Sequence, residues 1–244
     1  MQCSESIINF SYKGVKFKVF NSSFGYVDVK RILALKSELE LYNFFLKYKK
    51  NYRSFADVGA NVGIHTLFAS KIFKFIYSYE PLKTHYDLLK KNIVLNNFKN
   101  IKIIKKAVSI DDNNKFLIEL EKNTTATHLE TANRSKYGKL KRWLVKCISI
   151  KKIISKFDLI KFDVEGLEAK LLKNINFENK FSDLIVEIHN YKNSKDIFKK
   201  LSSYKNISVY KIKNLKISPI KTFKDMPKSP FDGHLFVTKP QFKI

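Results

Sequence analysis

Cysteine is almost absent from this chain: Cys3 and Cys147 are the only two in 244 residues. That excludes a disulfide framework and a thiolate metal cluster. Arginine is nearly as scarce, with Arg31, Arg53, Arg134 and Arg142 the whole set. The formal charge of +25, from 47 basic and 22 acidic side chains, is therefore almost entirely lysine. Arginine is the residue suited to bidentate phosphate and base-edge contacts, and the lysines are scattered along the whole chain. A solvated lysine surface is the preferred reading; RNA is a possible partner of such a field but not the favoured one. No apolar run approaches the ~20 residues that span a bilayer. No basic segment leads into an apolar one at the N-terminus, so no signal peptide is expected and the cytoplasm is the expected location. The length and a hydrophobic content of 44% suit one sizeable α/β domain with an N-terminal addition.

What the chain does have begins at Ser54. Ser54-Phe55-Ala56-Asp57-Val58 is a short apolar run suited to a buried parallel strand. Gly59 and Gly63 then free the backbone to turn and let a ligand approach closely. Ile64, Leu67, Phe68 and Ile72 follow at helical spacing, and Phe75 to Tyr79 reads as the next strand. That strand ends in Glu80-Pro81, and Glu80 lies 80 − 57 = 23 positions after Asp57. Nucleotide-binding βαβ units place a ribose-binding acid about 20 residues on, where a carboxylate accepts from two adjacent hydroxyls. Asn61 replaces the second glycine of the dinucleotide fingerprint, and Asp57 opens the turn. An acid there repels phosphate and suits a cationic amino-acid tail, which favours S-adenosylmethionine over NAD. The plainer alternative is a structural turn with no ligand.

The flanking chain follows the same logic. Residues 1–25 read as a β-hairpin turning at Tyr12-Lys13-Gly14, and Ser37 to Lys47 as a helix with a Ser37/Glu40 capping box. Residues 1–50 are expected to form this N-terminal extension, and residues 51–244 a doubly wound, mostly parallel α/β sheet. Thr84 with Asp87 can cap a helix. Ile101 to Ile104, Ala107 to Ser109, Lys115 to Leu120 and Leu144 to Ile150 suit strands. Residues 121–140 show no periodicity, and Thr124, Thr125, Thr127 and His128 offer reach toward a substrate; a solvated excursion is the alternative. Further on, Phe157 to Gly166 delivers Asp163 and Glu165 to a strand end, and Leu184 to His189 brings Glu187 and His189 to the same edge. Ligands of open α/β sheets bind at such edges. Buried carboxylates without partners cost several kcal/mol, so this clustering needs a reason. His65, His85 and His234 read as ordinary: the first two on exposed helix surface, the third in a closing strand.

Taken in order, Asp57 to Gly63, Glu80-Pro81, Ile160 to Glu168 and Glu187-Ile188-His189 resemble the FkbM family of S-adenosylmethionine-dependent methyltransferases, over roughly residues 50–195. The resemblance implies the seven-stranded, Rossmann-like methyltransferase sheet and methyl transfer to an oxygen, commonly on sugars, glycans or secondary metabolites. It implies that Gly59, Asn61 and Gly63 line the methionine end of the cofactor with Asp57 near its amino group. Glu80, with Pro81 beside it, would hold the ribose; Ala107 to Ser109 would flank the adenine. Asp163 would border both cofactor and acceptor. Where the family usually carries a Thr-Leu-Asp-like element, Ser149 to Ile153 stands here. His189 and Asp163 are the expected bases, with Glu165 and Glu187 orienting the acceptor. Asp163, Glu165 and His189 also form a donor set of the kind Mg²⁺ takes, but without dedicated spacing, so no metal is expected. The expected reaction is methylation of a hydroxyl on a small molecule or glycan. An RNA methyltransferase and a non-catalytic cofactor-binding partner protein are the alternatives.

Overall fold

The computed structural model describes residues 6–22 and 28–242, which leaves Cys3 and both ends of the 1–25 segment outside the description. Alternating residues form the hairpin of β1 (Ile7–Tyr12) and β2 (Val15–Phe20), with Lys13 and Gly14 both at positive φ in its turn. Two helices follow, α1 (Val29–Leu33) and α2 (Lys36–Tyr48). No side chain caps α2, so the Ser37/Glu40 capping box does not form; Glu40 instead accepts from the Asn214 amide at 2.7 Å.

The wound half comprises β3 (Ser54–Val58), α3 (Ile64–Ser70), β4 (Phe75–Tyr79), α4 (Lys83–Leu95) and β5 (Ile101–Ile104). Here too the expected Thr84/Asp87 cap is absent, because Asp87 pairs with Lys83 one turn back. The chain then makes β6 (Ala107–Ser109), β7 (Lys115–Leu120), β8 (His128–Leu129), β9 (Leu140–Val145) and β10 (Cys147–Ser149). These build two small sheets, β10-β6 and β8-β7-β9. The strand expected from Leu144 to Ile150 is thus divided between them. The closing elements are β11 (Leu159–Phe162), α5 (Glu168–Lys173), β12 (Asp183–Glu187), α6 (Tyr191–Leu201), β13 (Ser208–Lys213), β14 (Lys216–Pro219) and β15 (His234–Thr238).

The main sheet runs β14-β13-β15-β12-β11-β3-β4-β5. Strands β5, β4, β3, β11 and β12 are parallel, and β15 is antiparallel to both its neighbours. Seven of these strands give the Rossmann-like methyltransferase order, and β14 adds an eighth at the edge. Apolar residues fill both faces: α5 and α6 pack on one, α2, α3 and the hairpin on the other. The N-terminal segment therefore shares its core with the sheet. No helix among the described residues is long and apolar enough to cross a membrane.

One polar side chain interrupts the apolar run of β11. Lys161 is 1% exposed, and its register places it beside Asp57 of β3. Its ammonium lies 3.1 Å from Asp163 Oδ2 and 3.8 Å from Asp57 Oδ1. Burial opposes its charge, yet Asp163 and Asp57 raise its pKa above the usual lysine value. Removing one member of a buried ion pair leaves the others uncompensated. Lys161→Met is expected to lower stability at neutral pH by about 3–5 kcal/mol, read from denaturant midpoints. A loss below about 1 kcal/mol, the level of an exposed pair, would show that the triad is not held as described.

Candidate functional site

The carboxyl ends of β3 and β4 carry the first half of the site. After β3 the backbone turns through Gly59 at φ +81°, where an added Cβ would meet the Asp163 carbonyl oxygen at 1.8 Å. Only glycine lets the ends of β3 and β11 come this close. Asn61 follows at φ 52°, and Gly63 at φ 93° begins α3. Glu80, at the end of β4, is 5% exposed. One of its oxygens accepts from the Asn61 amide and the other from the Leu82 amide, each at 2.8 Å. Burial pushes its carboxyl up to about 7, against those two bonds, with Asp57 and Asp163 adding to the rise.

Gly59, Glu80, Pro81, Ala107 and Asp163 line one narrow cleft, together with Leu117, His128 and Leu129 from the small sheet. The structure thus brings five of the sequence-predicted cofactor residues together. Ser109 is buried in register with Ser149 and does not line the cleft. Asp57 also lies elsewhere: fully enclosed, it accepts from Thr66 Oγ1 at 2.7 Å and faces Lys161. Strand alternation is the reason, since its neighbour Val58 takes the cleft side. The residues fit S-adenosylmethionine. Glu80 presents a carboxylate of the kind that ribose hydroxyls donate to, the small sheet supplies apolar wall, and Asn61 Oδ1 in the glycine turn is buried without a hydrogen-bond partner.

The second half lies at the ends of β11 and β12. His189 is buried and its Nδ1 stands 2.7 Å from Glu168 Oε1. Glu168 is fully enclosed and also accepts from the Gly166 amide and Asn193 Nδ2. The other imidazole nitrogen, Nε2, faces Asp163 Oδ1 at 3.4 Å, Glu165 Oε2 at 3.4 Å and Glu187 Oε1 at 3.8 Å. All four predicted catalytic residues therefore converge on one point. Burial would raise Asp163, but Lys161 and His189 outweigh it and hold it at about 2. Burial, reinforced by Asp163, lifts Glu187 well above the carboxylate range. Burial works against a charge on His189, while Glu165 and Glu168 raise it well above an ordinary imidazole.

Several participants escaped the sequence reading. His65 is not on exposed surface but buried, 2.5 Å from Glu38. His85 is equally buried, at 3.1 Å from Thr124 Oγ1. His234, paired in register with Glu187, is 1% exposed, and burial pulls its imidazole down to about 4. The 121–140 segment is not a solvated excursion. Its Asn133 amide bonds the Gly166 carbonyl at 2.9 Å, and Arg134 pairs with Glu165 at 2.8 Å. It thereby braces the turn after β11, where Glu165 at φ 50° and Gly166 at φ 98° are both left-handed. The signal available was Lys161, a charge inside an apolar strand that had to find partners.

Solved methyltransferases resemble this architecture at low identity. A ribosomal protein L11 methylase from Lactobacillus delbrueckii subsp. bulgaricus is 14% identical, with 83% of this chain and 77% of that one covered at a TM-score of 0.48. An FkbM methyltransferase from Methylobacillus flagellatus is 15% identical, with 77% and 44% covered at a TM-score of 0.47. An O-methyltransferase from Bacillus cereus in complex with SAH is 8% identical, with 84% and 82% covered at a TM-score of 0.48. No curated protein matches the chain. The decisive match is in sequence: the methyltransferase FkbM domain covers residues 57–209, from the end of β3 into β13. With more than half its length inside that domain, the chain belongs to the FkbM family of methyltransferases, which use S-adenosylmethionine.

Proposed function

We propose that this protein transfers a methyl group to a hydroxyl oxygen of a sugar, glycan or related small molecule. The observation that carries the reading is the pairing of two sites across Asp163: the Glu80 cleft on one side, and the His189 cluster on the other. S-adenosylmethionine supplies a methyl group activated on a sulfonium sulfur. Glu80, held by the Asn61 and Leu82 amides, accepts from the ribose hydroxyls. Pro81, Ala107, Leu117 and Leu129 exclude water from the nucleoside. Gly59 keeps the glycine turn against Asp163 and so brings the two sites together, where positioning of the reactants would act; well-oriented reactants reach effective molarities of about 10⁵ M or more. Asp163, which Lys161 and His189 keep ionised, would accept from the hydroxyl as its proton leaves, with Glu165, Glu187 and His189 orienting the acceptor, an assistance worth typically about 10²–10⁴ in rate. Carboxylate and imidazole acceptors suit a hydroxyl donor.

The acceptor class is tested with methyl-labelled S-adenosylmethionine offered in parallel to sugars, oligosaccharides and RNA. Label is expected as an O-methyl ether on a carbohydrate, and Glu187→Gln is expected to slow that transfer by at least about tenfold while leaving cofactor affinity unchanged. Label on RNA alone, or on nitrogen, would overturn the reading.

Cofactor affinity has its own sign. A Glu80 carboxyl with pKa about 7 must lose its proton before it can accept from two hydroxyls. Wild-type affinity is therefore expected to fall as pH drops below about 7, by up to about tenfold per unit. Glu80→Gln should bind about ten- to hundredfold more weakly at pH 8, the equivalent of about 1.5–3 kcal/mol for a charge-assisted bond. It should also show no such pH dependence. Calorimetric titrations between pH 6 and 8 decide it, and equal profiles for the two proteins would remove Glu80 from the ribose.

A further inference from the structure

We infer that Asp163, Glu187 and His189 form a binding site for one divalent cation of the Mg²⁺/Mn²⁺ class. A carboxylate oxygen of Asp163, one of Glu187 and Nε2 of His189 all lie within 4.8 Å of one another. An ion with bonds of about 2.1 Å holds its ligand atoms about 3.0–4.2 Å apart. Nε2 lies 3.4 Å from Asp163 Oδ1 and 3.8 Å from Glu187 Oε1, inside that window. Those distances are long for a charge-assisted hydrogen bond, which falls at about 2.7–2.9 Å. Nε2 is thus aimed at the centre of the cluster without an ordinary hydrogen bond, on a side chain 1% exposed.

The opposite edge of the ring makes the second, independent argument. Glu168 lies outside the three-residue set, and its carboxylate accepts from the Gly166 amide, from Asn193 Nδ2 and at His189 Nδ1. A carboxylate so engaged holds a proton on Nδ1, so the proton that an arriving cation displaces is the one on Nε2, and the lone pair it leaves faces the cluster. Ligating histidines are regularly oriented by such a buried carboxylate. The remaining acid, Glu165, also lies 3.4 Å from Nε2, but the same oxygen pairs with the Arg134 guanidinium at 2.8 Å, which offsets its charge. Two carboxylates with one imidazole make a mostly hard donor set, suited to Mn²⁺ and Mg²⁺.

The strands explain why the three residues meet. Phe162 and Val186 are paired in the parallel ladder of β11 and β12, so Asp163 and Glu187 come next on adjacent strands. His189 returns two residues later. The open coordination positions face the place where the acceptor hydroxyl sits in the function proposed above. That role, gripping the acceptor oxygen, rests on the methyl-transfer reading; the binding of the ion does not.

The test uses Mn²⁺ alone, titrated into full-length protein without cofactor or acceptor and followed by water-proton relaxation. Wild type is expected to bind one Mn²⁺ per chain, with Mg²⁺ competing for the same site. Glu187→Gln and His189→Ala should each weaken binding at least tenfold, while Asp196→Asn, a half-buried acid on α6 paired with Lys173, should leave it unchanged. A second readout needs no variant: among the five histidine rings, the NMR signals of His189 should broaden first as Mn²⁺ is added. No saturable site in folded wild type, or broadening that begins at other histidines, would overturn the proposal and leave the cluster holding only a proton. Separate titration of S-adenosylmethionine distinguishes this outcome from failure of the methyl-transfer reading. A protein that binds cofactor and no Mn²⁺ loses only the cation site.

Discussion

The carboxyl edge of the sheet depends on one buried ammonium. Lys161 sits between Asp57 and Asp163 with almost no exposure, at the junction of β3 and β11. Two unpaired carboxylates at that depth would each cost several kcal/mol. The lysine therefore allows acids to crowd an otherwise apolar layer, and it does so from inside the strand that carries Asp163. Asp57 neutralises the lysine from the neighbouring strand and is itself anchored by Thr66 on α3. The three groups tie strand register, helix placement and site charge into one arrangement.

Around that triad the two faces of the sheet divide the work. The face toward the small sheet has the cleft with Glu80, Pro81 and Ala107, and its walls are apolar. The face toward α2 and α3 has Glu38, His65, Asp57 and His234, enclosed by the aromatic core that includes Tyr42, Phe45 and Phe68. Asp163 belongs to both, because its carbonyl lies against the Gly59 turn while its carboxylate reaches Lys161 and His189. A side chain larger than hydrogen at Gly59 would push these halves apart.

The order of strands was legible because buried parallel strands are short apolar runs that end in functional residues. Asp57 to Gly63, Glu80, Asp163 and His189 announced themselves in this way. Orientation was less legible. Adjacent positions on a strand point to opposite faces, so Asp57 and Val58 were separable only once the neighbouring strands and helices were placed. The histidines were misjudged for a related reason: His65 and His85 stand on helices whose packing partners, Glu38 and Thr124, are distant in sequence. Helix caps failed more simply. Leu35 and Leu82 precede α2 and α4 without a side-chain bond, and the acids that suggested caps satisfy other groups. The 121–140 segment lacked periodicity because it is held singly, through Asn133, Arg134 and the short pairing of His128 and Leu129 with β7, rather than by a repeated face.

Charge placement bears on the reaction more than total charge does. In a chain with only 22 acidic residues and a net charge of +25, Asp57, Asp163, Glu165, Glu168 and Glu187 gather at the carboxyl ends of three adjacent strands, β3, β11 and β12, and in the turn that leads from β11 into α5. During methyl transfer from a sulfonium, positive charge leaves sulfur and arrives at the acceptor oxygen. Carboxylates beside the sulfur would hold the reactant more firmly than the transition state and raise the barrier; only interactions stronger in the transition state lower it. The acids therefore help where charge arrives. Glu80 differs from these acids in its partners, with both oxygens turned to backbone amides. In the function proposed above, Asp163, Glu187 and the carboxylate-anchored His189 would meet the acceptor hydroxyl as it becomes acidic with its new bond. One glycine turn and one buried lysine thus bring the Glu80 cleft and the Asp163, Glu187 and His189 cluster to a single sheet edge, while each acid keeps its own partners.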